Sequence, residues 1–583
     1  MTGYIDQSAK VARSQRRGGE FFLAPSHPTQ RRYEALRSYL VDGGAAAEVA
    51  SRFGYTTQAF ESVVRNFRAG ERQFFLERRP GPKVAPGKQA ARARIVELRR
   101  QGHSIDEIAA ALVAEGRPLN RTGISEVVAE EGFERLWRRP EALRGAPRRE
   151  TLPRARVVDF AELPGRVETK LAGLLLTVPE LVALDLPELV AAAGYPGTTV
   201  IPALSSVLSL LALKLVGVRR VSHVEDLAAD RGAALFAGLA ALPKATALTT
   251  YSYRLSHERQ RRFLSALDRA MLAEGLAEGG DFDLDFHAVM YWGEDIALEK
   301  HYVPKRSQRT RSVLTFFAQD ASTHNLVYAN ADVSKAAQAR EVLAFCDHWR
   351  EFSGTDPATL VLDQRVTTHE VLAELDSREV RFITLRMRTV ALMRHIEEIE
   401  PGAWRTVSLD REGSYRKPQV VDESVRITNY PGEVRQLVVR GLGREAPTVI
   451  ITNDRASTVR QVIERYARRM TIEQRLAEAI RSFHLDALAS AVPLNVDLDV
   501  VLSVLAGAVC ASLRRRLGAG YANATPDTLQ RRFLHTGGVI DHRGDVVTVR
   551  LDRRTYSPVL RSAAMPEVTV PWWGGRTLRF DYA

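Results

Sequence analysis

The chain contains only two cysteines, Cys346 and Cys510, among its 583 residues. Both stand in apolar, helix-like surroundings, and no C-x2-C pair occurs anywhere. A zinc knuckle needs closely spaced cysteine and histidine ligands, and a disulfide-stabilised secreted domain needs several cysteine pairs. Neither is expected here, and the shortage of cysteine favours the reducing cytoplasm.

Long apolar runs are also lacking. The two longest are Val200–Leu213 and Val500–Leu513, and both are shorter than the roughly 20 residues that a membrane-spanning helix needs. Their serines and flanking basic residues favour buried core helices. The polar, arginine-rich start shows no signal-peptide pattern, so we expect no membrane partner.

Two common catalytic patterns are missing. The sequence has no glycine-rich phosphate-binding loop and no recognisable Ser-His-Asp arrangement. An ATPase and a triad hydrolase are therefore disfavoured, because each depends on one of these patterns.

Positive charge is in excess. Lysine and arginine number 82 against 70 acidic residues, which gives a net charge of +12 and an isoelectric point near 9.7. A basic balance on a large protein favours nucleic acid as a partner. The alternative is an arginine-rich composition without functional meaning.

Residues 1–75 predict an N-terminal arm followed by a first helix-turn-helix domain. Helical periodicity starts at Gln30, a short helix covers Ala45–Phe53, and Gly54 supplies a tight turn before a third helix. In this plan the last helix enters the major groove of DNA. Arg65 is predicted to lie on its DNA-facing side.

Residues 91–140 predict a second helix-turn-helix domain. Ser104 and Glu107 form a capping box at the start of its second helix, because each satisfies a free backbone amide of the other. The third helix places Arg121 toward DNA. Each unit alone could be a plain helical bundle, but two in tandem favour the reading of a long DNA site.

Two basic linkers separate these units from each other and from the rest of the chain. The first, residues 76–90, is rich in proline and glycine and contains Arg78, Arg79 and Lys83. Basic arms of this type lie in the minor groove of DNA, and the alternative is a solvated tether. The second linker covers residues 141–165.

Two carboxylates lie on one predicted strand. In the sequence DFDLDFHAVMY, apolar and polar residues alternate from Phe282 to Tyr291, and Asp283 and Asp285 fall on the same face. Carboxylates in an apolar strand need a cation, a proton or a basic partner. A divalent metal ion with oxygen ligands is the simplest solution.

Two further acids have suitable positions. Asp363 ends the short apolar strand predicted over Thr359–Asp363, at the carboxyl end of a strand, where open α/β sheets place their sites. Glu473 lies on an amphipathic helix predicted over residues 466–481. Asp320, Glu294 and Asp295 are predicted to be solvated or to support the ligands indirectly.

The order strand-Asp, strand-end-Asp and helix-Glu resembles a DDE transposase of a bacterial insertion sequence. Tyr466, Arg469 and Glu473 match the Y-x2-R-x3-E signature of the branch that carries a β-rich insertion in its RNase H-like catalytic domain. That branch often has tryptophan and a basic residue where this chain has Met470 and Ile480.

The resemblance implies a multidomain α/β architecture. It has all-α helix-turn-helix units, a helical middle region, an RNase H-like catalytic domain with a β-rich insertion, and a small C-terminal β module. The strands expected in the core are 283–291, 300–305, 313–319, 358–363 and 448–453, with a helix over 335–352. The implied domains are 166–280 (helical), 281–380 and 448–520 (catalytic), 381–447 (insertion) and 521–583 (C-terminal β module).

The resemblance also implies a chemistry. Asp285, Asp363 and Glu473 would bind Mg²⁺, for which Mn²⁺ can substitute, with Asp283 as the rival of Asp285. Tyr466 and Arg469 would contact DNA phosphates, although Arg469 could instead form a surface ion pair. The expected partners are double-stranded DNA, as terminal inverted repeats and as target, and a second copy of the chain in a synaptic complex.

Three functions therefore compete. The first is an active transposase, cytoplasmic and associated with the bacterial nucleoid. The second is a transposase-derived regulator that binds specific DNA but no longer cuts it, and the third is an RNase H-like DNA nuclease without strand transfer.

Overall fold

The structure is a computed structural model. It describes residues 27–69, 86–134, 153–290, 299–303, 308–364, 366–410, 416–443, 446–485 and 493–582, together with positions 22, 25 and 136. The chain divides into two compact units, Met1–Arg149 and Glu150–Ala583. The predicted DNA contacts Arg78, Arg79 and Lys83 lie outside the described residues, as do Glu294 and Asp295.

The first unit contains two groups of three helices. Their bounds are α1 Pro28–Leu40, α2 Ala46–Arg52, α3 Thr57–Arg68, α4 Pro86–Arg100, α5 Ile105–Ala114 and α6 Arg121–Glu130. Each group has its own small apolar core, centred on Phe60 in the first and on Ile95 and Ile124 in the second.

Side-chain caps fix where these helices begin. Thr56 accepts a hydrogen bond from the backbone N–H of Ala59 at the start of α3. Ser104 and Glu107 form the predicted capping box at the start of α5, and Asn120 caps α6. Since caps satisfy the free amides of the first turn, the sequence determines these starts locally.

The second unit is built on two β-sheets. The strand bounds are β1 Arg166–Thr169, β2 Asp281–Met290, β3 Lys300–Val303, β4 Gln308–Asp320, β5 Leu326–Asn330, β6 Thr359–Leu362, β7 Arg381–Leu385, β8 Arg405–Thr406, β9 Gln419–Val425, β10 Val434–Arg440, β11 Thr448–Thr452, β12 Gly538–Arg543, β13 Val546–Leu551, β14 Val568–Val570 and β15 Arg576–Tyr582. The larger sheet has the order β3-β4-β2-β6-β7-β11-β10-β9-β8, and β5 also pairs with β4. Strands β2, β6 and β7 run parallel to one another.

The strands after β2 differ from the sequence prediction. The segment predicted as a separate strand over 313–319 is the second half of β4, which runs from Gln308 to Asp320. The sequence prediction missed strand β5, which pairs antiparallel with β4. Residues 300–303 form a short strand at the edge, paired with the beginning of β4, and residues 304 and 305 of the predicted strand lie outside the described residues.

Residues 381–447 continue the larger sheet. Strand β7 pairs with β6, and β10 pairs with both β9 and β11. The predicted β-rich insertion therefore begins with a strand of the main sheet and adds further strands to its edge. Trp404 in this region lies 3.8 Å under the guanidinium of Arg440.

Helices surround the sheets. Their bounds are α7 Val178–Ala183, α8 Leu186–Ala192, α9 Ala203–Leu215, α10 Arg231–Phe236, α11 Ala245–Tyr251, α12 His257–Ala273, α13 Glu341–Ser353, α14 His369–Ser377, α15 Val390–Glu397, α16 Val459–Arg468, α17 Met470–Phe483, α18 Pro493–Leu517, α19 Pro526–Leu529 and α20 Ser557–Ala563. One apolar core links most of them to both sheets.

One helix is long and apolar enough to cross a membrane. Within the described residues this stretch is Asn495–Leu517, and its 18-residue apolar window has a mean hydropathy of 2.0 and is 89% buried inside the protein. It is longer than the predicted apolar run because the helix already starts at Pro493. Most of its residues are buried, as are those of α9, so both are core helices.

The smaller sheet joins the two ends of the second unit. Its order is β1-β12-β13-β15-β14, so a strand near residue 166 pairs antiparallel with one near residue 540. Gly173, shortly after β1, donates its backbone N–H to the carbonyl of Thr536. The C-terminal β region is therefore joined to the start of the unit by backbone hydrogen bonds.

We expect Gly173→Ala to destabilise this junction. A Cβ atom at Gly173 would lie 1.9 Å from the carbonyl oxygen of Phe533, so the backbone would have to move, at a cost of about 1–3 kcal/mol. Thermal unfolding should show a clearly lower midpoint. Gly165→Ala is the control, because nothing lies within 4 Å of a Cβ there, and an equal loss in both variants would contradict the prediction.

Candidate active site

The register of two parallel strands brings Asp285 and Asp363 together. Strand β2 pairs with β6 from Asp281 opposite Thr359 to Leu284 opposite Leu362. Asp285 and Asp363 are the next residues of the two chain segments beyond this last pair. The two acids are thus neighbours at the edge of the paired region, although β6 ends one residue earlier.

Alternation along β2 separates its apolar and acidic faces. Phe282 and Leu284 are fully buried, and the ring of Phe282 packs against Trp349 of α13 with the centroids 4.4 Å apart. Asp283 and Asp285 point the other way, toward arginines at the end of α16 and just beyond it. The period of the strand therefore creates an acidic face above an apolar core.

Glu473 enters the same place from a helix. Helix α17 packs on the core through Ile472 and Leu476, both buried. Thr471 donates a hydrogen bond of 3.0 Å to the buried side chain of Gln319 on β4. These contacts fix the first turn of α17, and Glu473 projects from that turn.

Arg469 lies between the three acids. Its guanidinium nitrogens are 2.9 Å from Glu473, 3.4 Å from Asp285 and 4.0 Å from Asp363. The Arg469 side chain is 6% exposed, whereas Asp285, Asp363 and Glu473 are 18%, 44% and 52% exposed. Arg469 does form the ion pair considered as its alternative role, but as a buried residue within a cluster that opens to solvent on the side of its acids.

Asp283 belongs to a different contact. It is fully buried, and one of its carboxylate oxygens accepts a hydrogen bond of 2.6 Å from Arg465. Arg465 and Arg469 are four residues apart, a helical step of about 6 Å, which matches the step of about 6.8 Å between Asp283 and Asp285. Geometry thus groups Asp285, and not Asp283, with Asp363 and Glu473.

Burial shifts the pKa of Asp285 and of Arg469. It raises the pKa of Asp285 to about 6, against the opposing effect of Arg469, and the nearby Asp363 and Glu473 raise it further. For Arg469, burial disfavours the charge, but Asp285, Tyr466 and the other acids outweigh this and raise its pKa. Arg469 therefore stays positive, and Asp285 is the acid most dependent on a nearby cation.

The donor set suits a hard divalent cation, because carboxylate oxygens of unequal exposure leave positions for water and phosphate. Among the described residues, however, no three acidic, histidine or cysteine side chains already stand close enough together to hold an ion. Asp285, Asp363 and Glu473 converge on the guanidinium of Arg469. Their chemistry fits Mg²⁺, with Arg469 as the cation between them.

Asp320 is predicted to be solvated or to support the metal ligands indirectly, and the structure contradicts the first of these. It is fully buried and accepts hydrogen bonds from the backbone N–H groups of Glu278, Gly279, Ser322 and Thr323. These bonds close the turn between β4 and β5 and tie it to the residues before β2. The role of Asp320 is structural.

The residues predicted to contact DNA differ in exposure and in the side chains that they contact. Arg65 is exposed on α3 and donates to Ser62 across 3.4 Å. Arg121 is 70% exposed and forms an ion pair of 2.5 Å with Asp106. Tyr466 is partly buried, and the guanidinium of Arg469 lies 5.9 Å from its ring.

The fold is similar to that of solved structures. No family model matches the chain, and no curated protein matches it. A cryo-EM structure of a piggyBac transposase synaptic complex with hairpin DNA is similar over 66% of this chain and 82% of that chain, with 9% identity and a TM-score of 0.34.

Proposed function

We propose that this chain is a DDE-type DNA transposase that binds the terminal inverted repeats of its mobile element and cuts and joins DNA strands. The observation that supports this most strongly is the convergence of Asp285, Asp363 and Glu473 on one cation. These acids come from two parallel strands and a helix that are far apart in sequence. Such convergence is typical of a two-metal site for phosphoryl transfer.

The sheet supports the same proposal. Three antiparallel strands, β2, β4 and β5, are followed by helix α13 and by β6, which returns parallel to β2. This β-β-β-α-β order is the one expected of an RNase H-like catalytic domain. Asp285 lies on its first strand and Asp363 directly after its fourth.

Each residue has a defined part in the proposed mechanism. Asp285, Asp363 and Glu473 would hold divalent cations, which when bound activate the attacking oxygen and stabilise the leaving oxygen. Arg469 and Tyr466 would contact the phosphates that flank the cut, since a guanidinium binds phosphate in a bidentate way. Water would first displace the 3′-oxygen from the phosphorus, which leaves a free 3′-hydroxyl and a 5′-phosphate. This 3′-hydroxyl would then attack a target phosphodiester and displace the target's own 3′-oxygen, which leaves as a hydroxyl.

DNA recognition is assigned to the two groups of three helices. Helices α2 and α3 follow the helix-turn-helix plan, with α3 as the reading helix. In the second group, Glu126 and Glu130 on α6 bind Lys88 of α4, so acidic side chains cover part of α6. We therefore assign the stronger role in reading DNA bases to α3. In this proposal the protein acts in the cytoplasm as a homodimer on double-stranded DNA.

The proposal is tested on DNA that flanks the protein's own gene. Labelled duplexes covering these flanks are screened for binding, and bound duplexes are incubated with Mg²⁺ or Mn²⁺ and analysed on denaturing gels. Cleavage at a defined end together with joining to a second duplex supports the transposase. Binding without cleavage supports the silent regulator, and cleavage at many positions without joining supports the nuclease.

We expect Arg65→Ala to weaken recognition of the bound end. Loss of a base contact costs about 1–3 kcal/mol and relaxes selectivity at one position. Competition of specific against random duplex in a fluorescence anisotropy assay measures this selectivity. Arg37→Ala on α1 is the control, and equal effects of the two substitutions would show that α3 does not read the sequence.

A further inference from the structure

Arg469 occupies the place where the acids of the proposed metal site meet. Its guanidinium contacts or closely approaches all three carboxylates. A divalent cation bound to these oxygens would lie about 2.0–2.6 Å from them. The guanidinium, at 2.9 Å from Glu473 and 3.4 Å from Asp285, would then face a double positive charge across a few ångströms. The two cations therefore compete for one position.

The charges make this competition strong. Asp285 is largely buried, and Arg469 is the basic group with the largest effect on its pKa. Removal of Arg469 without replacement would leave three carboxylates to repel one another in a partly desolvated place. Arg469 thus stabilises the metal-free arrangement and opposes the binding of a second cation.

The backbone at Arg469 interrupts the helix. Helix α16 ends at Arg468, and α17 begins at Met470. Across this junction the N–H of Arg469 bonds the carbonyl of Tyr466, and the N–H of Ile472 bonds the carbonyl of Arg469, so both bonds span three residues. Short 3₁₀ segments within helices often mark places that move.

A phosphate group is a natural alternative partner for this guanidinium. The planar fork of arginine binds two phosphate oxygens at once. A bound DNA strand would bring phosphates to the open side of the cluster, where Asp363 and Glu473 are about half exposed.

We infer that Arg469 couples metal loading to DNA binding: it neutralises the three acids in the free protein and releases them when a DNA phosphate takes over its guanidinium. This inference rests on the proposed metal site. Because coupling is reciprocal, DNA raises the affinity for the divalent ion by the same factor by which the ion raises the affinity for DNA. Without DNA, the protein binds the metal ion weakly.

The test measures Mn²⁺ binding by electron paramagnetic resonance, with the full chain and without turnover. For Arg469→Gln without DNA, we expect about 5–150-fold tighter Mn²⁺ binding than for the unmodified protein, the usual range of coupling between sites. Arg469→Lys, which keeps the charge, should remain weak. Arg468→Gln, which changes the neighbouring exposed arginine, should not differ from the unmodified protein.

Thermal unfolding provides a second readout. Metal-free Arg469→Gln should unfold at a lower temperature than the unmodified protein, and Mn²⁺ should raise its midpoint by a larger amount. Addition of the bound end duplex should tighten Mn²⁺ binding to the unmodified protein and leave Arg469→Gln nearly unchanged.

Two results separate the inference from the proposed function. If Arg469→Gln binds Mn²⁺ no more tightly than the unmodified protein, while Asp285→Asn abolishes binding, the metal site stands and the coupling role of Arg469 is overturned. If Asp285→Asn leaves Mn²⁺ binding unchanged with and without DNA, both in the unmodified protein and in Arg469→Gln, the proposed metal site is wrong. The inference is then wrong as well.

Discussion

Asp285→Asn, Asp363→Asn and Glu473→Gln should each reduce DNA cleavage by at least about 100–1,000-fold, the usual loss when one group that stabilises a charged transition state is removed. The amides have the size of the acids but no charge, so they bind a divalent cation poorly. Each variant keeps two carboxylates beside Arg469. The folded structure and the binding of the DNA end should therefore persist.

Initial rates on the end duplex, measured together with the affinity for that duplex, check this expectation. Glu351→Gln is the matched control, since Glu351 is an exposed acid of the same unit that pairs with Arg261. Near-normal cleavage by any one of the three variants would remove that residue from the site. Loss of cleavage by Asp283→Asn in a protein of unchanged stability would transfer the role of Asp285 to Asp283.

Arg465→Met should have the largest effect on stability, a loss of about 3–5 kcal/mol, because it leaves a buried charge without its partner. Asp283 is fully buried, and Arg465 is bonded to one of its oxygens. Urea unfolding followed by tryptophan fluorescence measures the loss. The signal includes Trp349, which packs on the neighbouring residue Phe282. Arg468→Met is the control. Arg468 is exposed and lies three residues after Arg465 on the same helix, so this substitution should change stability little.

The loss should also depend on pH. Burial raises the pKa of Asp283, and Arg465 opposes this increase, so removal of Arg465 raises the folded-state pKa further. An acid whose folded pKa is raised holds its proton in the folded state after the unfolded chain has lost it, and stability then falls as pH rises above about 3.9. The deficit of Arg465→Met should be small in acid and grow toward neutral pH.

The double variant Asp283→Leu with Arg465→Met is the decisive comparison. Replacement of a buried pair by apolar residues of similar volume is often neutral, so the double variant should recover most of the loss. If it is as unstable as Arg465→Met alone, the effect arises from lost packing of the arginine and not from an unpaired carboxylate.

The choice between Asp283 and Asp285 shows what the sequence could and could not predict. Strand period alone puts both acids on one face, and the structure has both there. Which one meets Asp363 depends on the register between β2 and β6, and that register is set by pairing across a long stretch of chain. No local pattern around Asp285 contains that information.

Two other differences have local causes. Polar residues at the start of β4, among them Arg309 and Arg311, concealed its first four residues, whose partner within the described residues is the short edge strand β3. The helix predicted through Arg469 is broken there, yet buried residues on both sides, Ile463 and Ile472, keep the apolar pattern. Hydrophobic periodicity detects a buried face and does not detect a single tight turn.

The pairing of β1 with β12 has a consequence for synthesis on the ribosome. Within the part of the chain that the structure describes, β1 has no other strand partner, so it stays unpaired until residues 538–543 have been synthesised. Contacts so distant in sequence form slowly, whereas the short-range helical bundles of residues 28–130 can fold as soon as they emerge. The helical bundles that we propose to bind DNA would thus be folded before the second unit is complete.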